Sequence, residues 1–385
     1  MVLDGKNSLK MKKTKYYSWV VGKLPKGCQL CVEGRKEVLF ITGLCPRRCI
    51  FCPISDQKKN KDVIYANEWP IEKFEDILEE ARLCSSKGAG ITGGDPLMKL
   101  ERTIKAIKML KERFGEKFHI HLYTSLNLIS EEIIKQLEEA GLDEIRFHPD
   151  LDDDSLWHKL KLNTSMDKGL EIPVIPNKEE QTIKLIDYAK DKIKFLNLNE
   201  LEMSDTEANK LSEKGYKTKD NISYGIKGSE ELAMKLLRYC ERNTKLNVHY
   251  CPVKLKDAVQ MAKRLKLRAK NVAKPYDKVS KEGTLLRGAI YLNELRPDFG
   301  FTRRLNELKN KDELLKRLSI IRKELIELYK LKEKLIEVDD KKVRILTSRT
   351  IAQKLAKYLK SRDLYPVWVE EDPTYDQFEI ESEDL

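Results

Sequence analysis

EVLFITGLCPRRCIFCPI, residues 37–54, is the stretch on which the reading of this chain turns. Val38, Leu39, Phe40 and Ile41 form a short β-branched and aromatic run of the kind that makes a buried strand. Gly43 ends the run, and Cys45, Cys49 and Cys52 follow with three and then two residues between them. The thiols therefore sit on a loop that begins where a strand stops. A cubane iron–sulfur cluster takes four thiolates, and one short loop can reach three of its irons. With only three sulfurs the fourth iron keeps a position for an outside ligand, as a catalytic zinc does. A zinc site or three buried structural cysteines would use the same residues, although zinc motifs more often arrive as two pairs.

Ile91 to Leu97 reads ITGGDPL. Gly-Gly-Asp-Pro is good turn chemistry anywhere, and it gains meaning at this distance behind the cysteine loop. CxxxCxxC after a first strand, with Phe51 before the last cysteine and a glycine turn after the second strand, resembles the radical S-adenosylmethionine (SAM) superfamily. That superfamily's second motif is usually GGEP, and Asp95 here stands for the glutamate. GCQLC at residues 27–31, CPRRCIFCP and TGGDPL together resemble an archaeal group related to pyruvate formate-lyase activating enzymes.

The resemblance covers roughly residues 37–200 and implies a (βα)6 partial barrel. It implies a [4Fe-4S] cluster on Cys45, Cys49 and Cys52, with SAM on the open iron, reductive release of a 5′-deoxyadenosyl radical and hydrogen abstraction from a substrate. A ferredoxin or flavodoxin would be the electron donor. Gly93, Gly94 and Asp95 are assigned to the SAM amino group, with Asp95 reaching one methylene less than glutamate. Ser125, Asn127 and Asn197 are further candidates for contact with SAM or substrate.

Composition bounds the rest. With 385 residues, 41% of them hydrophobic, the chain can form one large domain and one or two small ones. Charged residues reach 36%, a balance seen in hyperthermophile proteins. A net charge of +11 suits a polyanionic partner such as RNA, or simply a lysine-rich background. No apolar stretch approaches the ~20 residues needed to span a bilayer, and the first residues lack the apolar segment of a secretory signal. The expectation is a cytoplasmic protein whose eight cysteines are reduced thiols or metal ligands.

Along the chain, apolar runs near 37–43, 88–92, 118–124, 143–148, 170–175 and 193–199 alternate with amphipathic helical patterns, which predicts a parallel sheet. The fold class expected is α/β, a partial (βα)6 TIM-like barrel with a helical extension and a small C-terminal α/β module. Four segments follow: 1–36 with a CxxC, 37–255 as the barrel, 256–338 as a basic helical extension, and 339–385 as the module. Chemistry in such barrels lies at the carboxyl ends of the strands. His148 at the fourth strand end is the catalytic candidate, while His119 and His121 suit a structural role. Asn197 and Asn199 alternate with Leu196 and Leu198, so their face should line a cavity.

Cys28 and Cys31, flanked by glycines, read as half of a metal site on a tight turn. Cys251 would complete it, with His249 as an added ligand, holding a second iron–sulfur cluster or zinc. Residues 203–228 read as a polar surface excursion or lid, and Val248 to Cys251 as an added strand. The basic amphipathic segment after Cys251 is a solvated face or a polyanion-binding edge. A long charged helix is expected over Leu305 to Val338. The functional expectation is a radical SAM enzyme of unidentified substrate, leaning toward RNA, with a peptide or small metabolite as other targets. The reading from another class is a non-catalytic iron–sulfur or zinc protein that binds nucleic acid.

Overall fold

A computed structural model describes residues 9–385. It divides into two compact units, Met1–Arg264 and Leu265–Leu385.

The first unit is built on one sheet. In chain order its strands are β1 (Met11–Lys13), β2 (Trp19–Val21), β3 (Lys36–Phe40), β4 (Tyr65–Ala66), β5 (Trp69–Pro70), β6 (Gly88–Thr92), β7 (His119–Ser125), β8 (Glu144–His148), β9 (Asp167–Val174), β10 (Phe195–Glu200) and β11 (Asn247–Cys251). Their spatial order is β1-β2-β11-β10-β9-β8-β7-β6-β3-β4-β5. From β3 through β6 to β11 every pairing is parallel. This is the partial TIM-like barrel, with β11 added as a further parallel strand. Helices α2 (Asp76–Leu83), α3 (Leu100–Phe114), α4 (Glu131–Glu139), α5 (Glu179–Ala189) and α6 (Ser229–Asn243) cross between strands. Between β8 and β9 there is only a short 3-10 turn at Trp157–Lys161.

Strand alternation explains both faces. Leu39, Ile41, Ile120, Leu122, Ile145 and Phe147 join the core that includes Ala106, Ile107 and Leu110 of α3. The alternate positions turn to the barrel interior and are polar: Lys36, His121, Tyr123, Arg146, Glu171 and Asn197. Arg146 Nη1 donates to Glu171 Oε2 at 2.8 Å, and its other donors meet Glu144. Buried charges are tolerable only when paired in this way, because desolvation is costly.

The amino-terminal segment belongs to this unit. β2 pairs antiparallel with β11, and Lys26–Glu33 is a helix, α1, with Pro25 at its N-cap. The tight turn expected at GCQLC is therefore corrected to a helical turn, with Cys28, Leu30, Cys31 and Val32 buried.

The boundary expected at 338/339 is also corrected. The strand Leu285–Leu292 pairs with both Arg344–Thr347 and Leu364–Glu371, so the extension and the C-terminal module share one sheet. The long helix expected over Leu305 to Val338 breaks into Phe301–Asn306 and Lys311–Tyr329, followed by a strand at Ile336–Asp339. Its apolar stripe, Leu314, Leu318 and Leu325, is buried in this unit's own core rather than on a stalk. Among the described residues no helix is long and apolar enough to cross a membrane.

Glu37, on the helix-facing side of β3, is fully buried and neither carboxylate oxygen has a partner. Burial, with Glu80 adding to it, pushes its pKa well above the usual carboxylate range. A raised folded value gives stability that is complete below the unfolded value of 4.5 and lost as pH rises through the folded one. Replacing Glu37 by methionine should therefore stabilise the metal-free protein at pH 7 by about 1–3 kcal/mol. Thermal unfolding of both proteins should show the gain shrinking toward pH 4.5.

Candidate active site

At the carboxyl ends of the strands lies a cavity of about 600 Å³, lined by Cys45, Cys49, Cys52, Gly93, Gly94, Asp95 and Ser125 among others. The cysteine loop leaves β3 through Thr42. Its start is held by the second strand end: Gly94 N–H donates to Thr42 O and Asp95 N–H to Leu44 O, each at 2.8 Å. Gly94 has to be glycine, since a Cβ there would sit 2.3 Å from Leu44 O. A Cβ on Gly93 would lie 2.4 Å from Thr42 O. Asp62 secures the loop's far side, accepting from Thr42 Oγ1 at 3.0 Å and from Arg102 at 2.6 Å.

Two basic residues contact the sulfurs, Lys59 through its ammonium and Arg47 through its backbone. Lys59 Nζ donates to Cys52 Sγ at 3.1 Å. Arg47 N–H donates to Cys45 Sγ at 3.4 Å, while its guanidinium donates to His148 O and Asp150 Oδ2, each at 2.8 Å. Arg47 thus ties the loop to the end of β8. Burial pushes the Cys45 and Cys49 thiols up. The excursion at 203–228 returns to this loop, with Lys210 N–H on Ile50 O at 2.7 Å and Asn209 bridged to Phe51.

Asp95 is not free to meet a ligand's amino group through its side chain. Oδ1 accepts from Leu97 N–H at 3.1 Å and Thr124 Oγ1 at 2.8 Å; Oδ2 accepts from Ser125 N–H at 3.0 Å and Ser125 Oγ at 2.7 Å. A carboxylate has about four acceptor positions, and all are used. Asp95 is a latch between the β6 and β7 ends, and Ser125 is its partner.

Two other expectations change. Asn127 lines an adjoining cavity with Arg47, Cys49, Phe51 and His148, not the main one. Asn197 lies below the main cavity, its Nδ2 donating to Glu171 Oε2 at 2.7 Å and to Cys28 Sγ at 3.2 Å. Asn199, one step further along β10, lines the cavity in its place.

His148 is where expected, its ring tilted at 49° to that of Phe51 with 5.7 Å between centroids. Its Nδ1 lies 3.0 Å from Glu171 O, which can only accept, so Nδ1 carries the proton and Nε2 the lone pair. Burial, helped by the Arg47 charge, lowers its pKa to about 4. Sequence reading missed Arg146, Glu171, Glu202 and Lys256 in the lining. Arg146 and Glu171 were findable, since each stands between apolar neighbours in a strand, the pattern that marked Asn197.

The chemistry of these residues fits a [4Fe-4S] cluster with SAM. Three thiols share one cavity wall, the Lys59 ammonium stands against one and the Arg47 backbone N–H against another, and beside them is a backbone cradle that any Cβ would fill. Among the described residues no three His, Cys, Asp or Glu side chains are set to hold a single ion. A cluster makes no such demand, because each thiolate bonds a different iron.

A family model described as the Radical SAM superfamily matches residues 39–200. A protein of Methanocaldococcus jannaschii, provisionally named a glycyl-radical enzyme activating enzyme, is 49% identical over 292 residues, covering 73% of this chain and 77% of that protein. Among solved structures, methylornithine synthase aligns at 14% identity over 57% of this chain and 71% of that one, with a TM-score of 0.34. Coproporphyrinogen III oxidase of Escherichia coli aligns at 10% identity over 84% and 90%, with a TM-score of 0.35. Alignments this loose carry no argument.

Asp95→Ala leaves the Thr124 and Ser125 donors unpaired and should cost about 1–3 kcal/mol in urea unfolding, with Asp95→Ala and Ser125→Ala together costing less than their sum. For His148 the folded value is depressed, so unfolded chains take up a proton below pH 6.5 that the folded protein refuses until about 4. Stability of the metal-free protein should therefore fall as pH drops through that window, and His148→Gln should make the fall shallower.

Proposed function

This chain belongs to the radical SAM superfamily and is an enzyme of it, and from that premise we propose that it takes a hydrogen atom from a glycine of a partner polypeptide. The name of the M. jannaschii relative supports a protein substrate. It lends nothing to RNA, toward which the basic charge leans.

The observation that carries the reading is the depth of the cavity. Tyr123, Arg146 and Glu171 form its inner lining, and Asn197 beneath them no longer reaches it. Arg146 and Glu171 are paired to each other, and the two asparagine amides hold Glu171 at 2.7 and 2.9 Å. Burial alone would raise the Glu171 pKa, but Arg146 and those amides outweigh it and hold the carboxylate ionised. A floor of charges already satisfied leaves little to engulf a metabolite. A backbone loop inserted from the mouth fits better, passing Asn199, whose amide holds Glu171, and the Glu202–Lys256 ion pair in the cavity wall.

In this reading Cys45, Cys49 and Cys52 hold the cluster, and the Gly93–Gly94 backbone meets the amino group of SAM. The cofactor pair, when bound, supplies the electron and the 5′-deoxyadenosyl radical that removes the hydrogen. Arg47 and Lys59 offset the negative charge of the thiolates. His148, neutral above pH about 4, offers Nε2 as an acceptor for positioning. Phe51 and the returning excursion keep water from the sulfurs. The donor of the electron is an outside reductant of the ferredoxin or flavodoxin class. Cys28, Cys31 and Cys251 take no part in this step.

The test uses enzyme reconstituted anaerobically with iron and sulfide, then given dithionite, SAM and fractions from cells grown on α-deuterated glycine. Deuterium should enter 5′-deoxyadenosine with the protein fraction, and a Cys45→Ala/Cys49→Ala/Cys52→Ala enzyme should form none of that product. Deuterium arriving only with the RNA or small-molecule fraction would refute the proposal.

A further inference from the structure

We propose that Cys28, Cys31 and Cys251, with His249 as fourth ligand, hold a second iron–sulfur cluster inside the barrel. The site is separate from the cysteine loop and stands whether or not the substrate reading above is right.

The argument begins with α1. A spacing of three puts Cys28 and Cys31 on one face of a helix. That region of the helix packs directly on the barrel's interior side chains: a Cβ on Gly27 would fall 2.6 Å from both Arg146 Nη2 and His121 Nδ1. Asn197 Nδ2 then donates to Cys28 Sγ at 3.2 Å, which joins the helix to the inner face of β10.

The register of the sheet brings in the other two ligands. Asn197 pairs with His249 and Asn199 with Cys251, so the imidazole and the thiol lie on the same inner face as the two amides. Cys251 also packs with Val32 of α1 and Leu255. It lies within electrostatic range of both Cys28 and Cys31.

His249 points to a ligand. The residue is 1% exposed, and neither Nδ1 nor Nε2 has a hydrogen-bond partner. An imidazole has one donor or acceptor at each nitrogen, and leaving both unmet in a buried site is costly. A metal ion would meet one of those nitrogens, since a neutral imidazole offers it a lone pair. Asn197 Oδ1 is also without a partner in the same layer.

Among the described residues no three of these side chains are set around one point, and the same holds for the Cys45–Cys49–Cys52 loop. Ligands that bond separate irons stand further apart than ligands of one zinc. Counter-charge is at hand, because Lys36 hydrogen-bonds the Cys31 sulfur and Arg146 lies in electrostatic range of Cys28. Such cations offset thiolate charge and tune a cluster's potential.

The experiment counts iron and acid-labile sulfide in the full chain after anaerobic reconstitution. Wild type should hold about eight irons, and the Cys45→Ala/Cys49→Ala/Cys52→Ala variant about four, with a [4Fe-4S] Mössbauer signature. That variant is inactive in any radical chemistry, so its iron reports on the second site alone. His249→Ala in the same background should lower retention, and His249→Cys should restore it. About four irons in wild type with none in the loop variant, or zinc in place of iron, would overturn the proposal.

Discussion

One carboxylate holds the mouth of this barrel together. Asp95 accepts four hydrogen bonds, two from Ser125, one from Thr124 and one from Leu97, and its own N–H reaches back to Leu44 at the start of the cysteine loop. Three strand ends are fixed by that residue and Gly94. The aspartate is one methylene shorter than the glutamate usual in the motif, and its carboxylate is spent within the protein. What the GGDP turn can offer a ligand is therefore backbone, kept bare by glycines that no Cβ could replace.

Below the mouth the interior is a layered polar network rather than an apolar plug. Glu144, Arg146, Glu171, Asn197 and Asn199 are linked by ion pairs and hydrogen bonds, with Tyr123 and Lys36 at their side, 3.2 Å apart. Such a network is costly to desolvate and strongly specifies its own arrangement. It separates the open cavity above from the sulfur-rich layer beneath α1. The same side chains thus serve as floor for one site and ceiling for another.

Much of this was legible in the chain. The six expected strands stand within a few residues of the observed ones, because β-branched runs and glycine stops mark them without tertiary help. GCQLC was misread because flanking glycines suggest a turn, while Pro25 at the N-cap and burial of Leu30 and Val32 make it a helix. Alternation found the face of Asn197 but not its depth, which depends on the register of β10 against β9 and β11. The strand at Leu285–Leu292 finds two of its partners beyond residue 343, and no local pattern announces such pairing. The spent carboxylate of Asp95 could not be read locally, since three of its four donors come from a strand about thirty residues away.

The central claim is that the three-cysteine loop leaves one iron open to SAM beside the Gly93–Gly94 backbone. The direct measurement is the electron paramagnetic resonance spectrum of the dithionite-reduced protein carrying Cys28→Ala and Cys31→Ala, recorded with and without SAM. A reduced cluster signal whose g-values move on adding SAM is the result this account predicts. A signal identical in both samples, in protein shown by equilibrium dialysis to bind SAM, would contradict it.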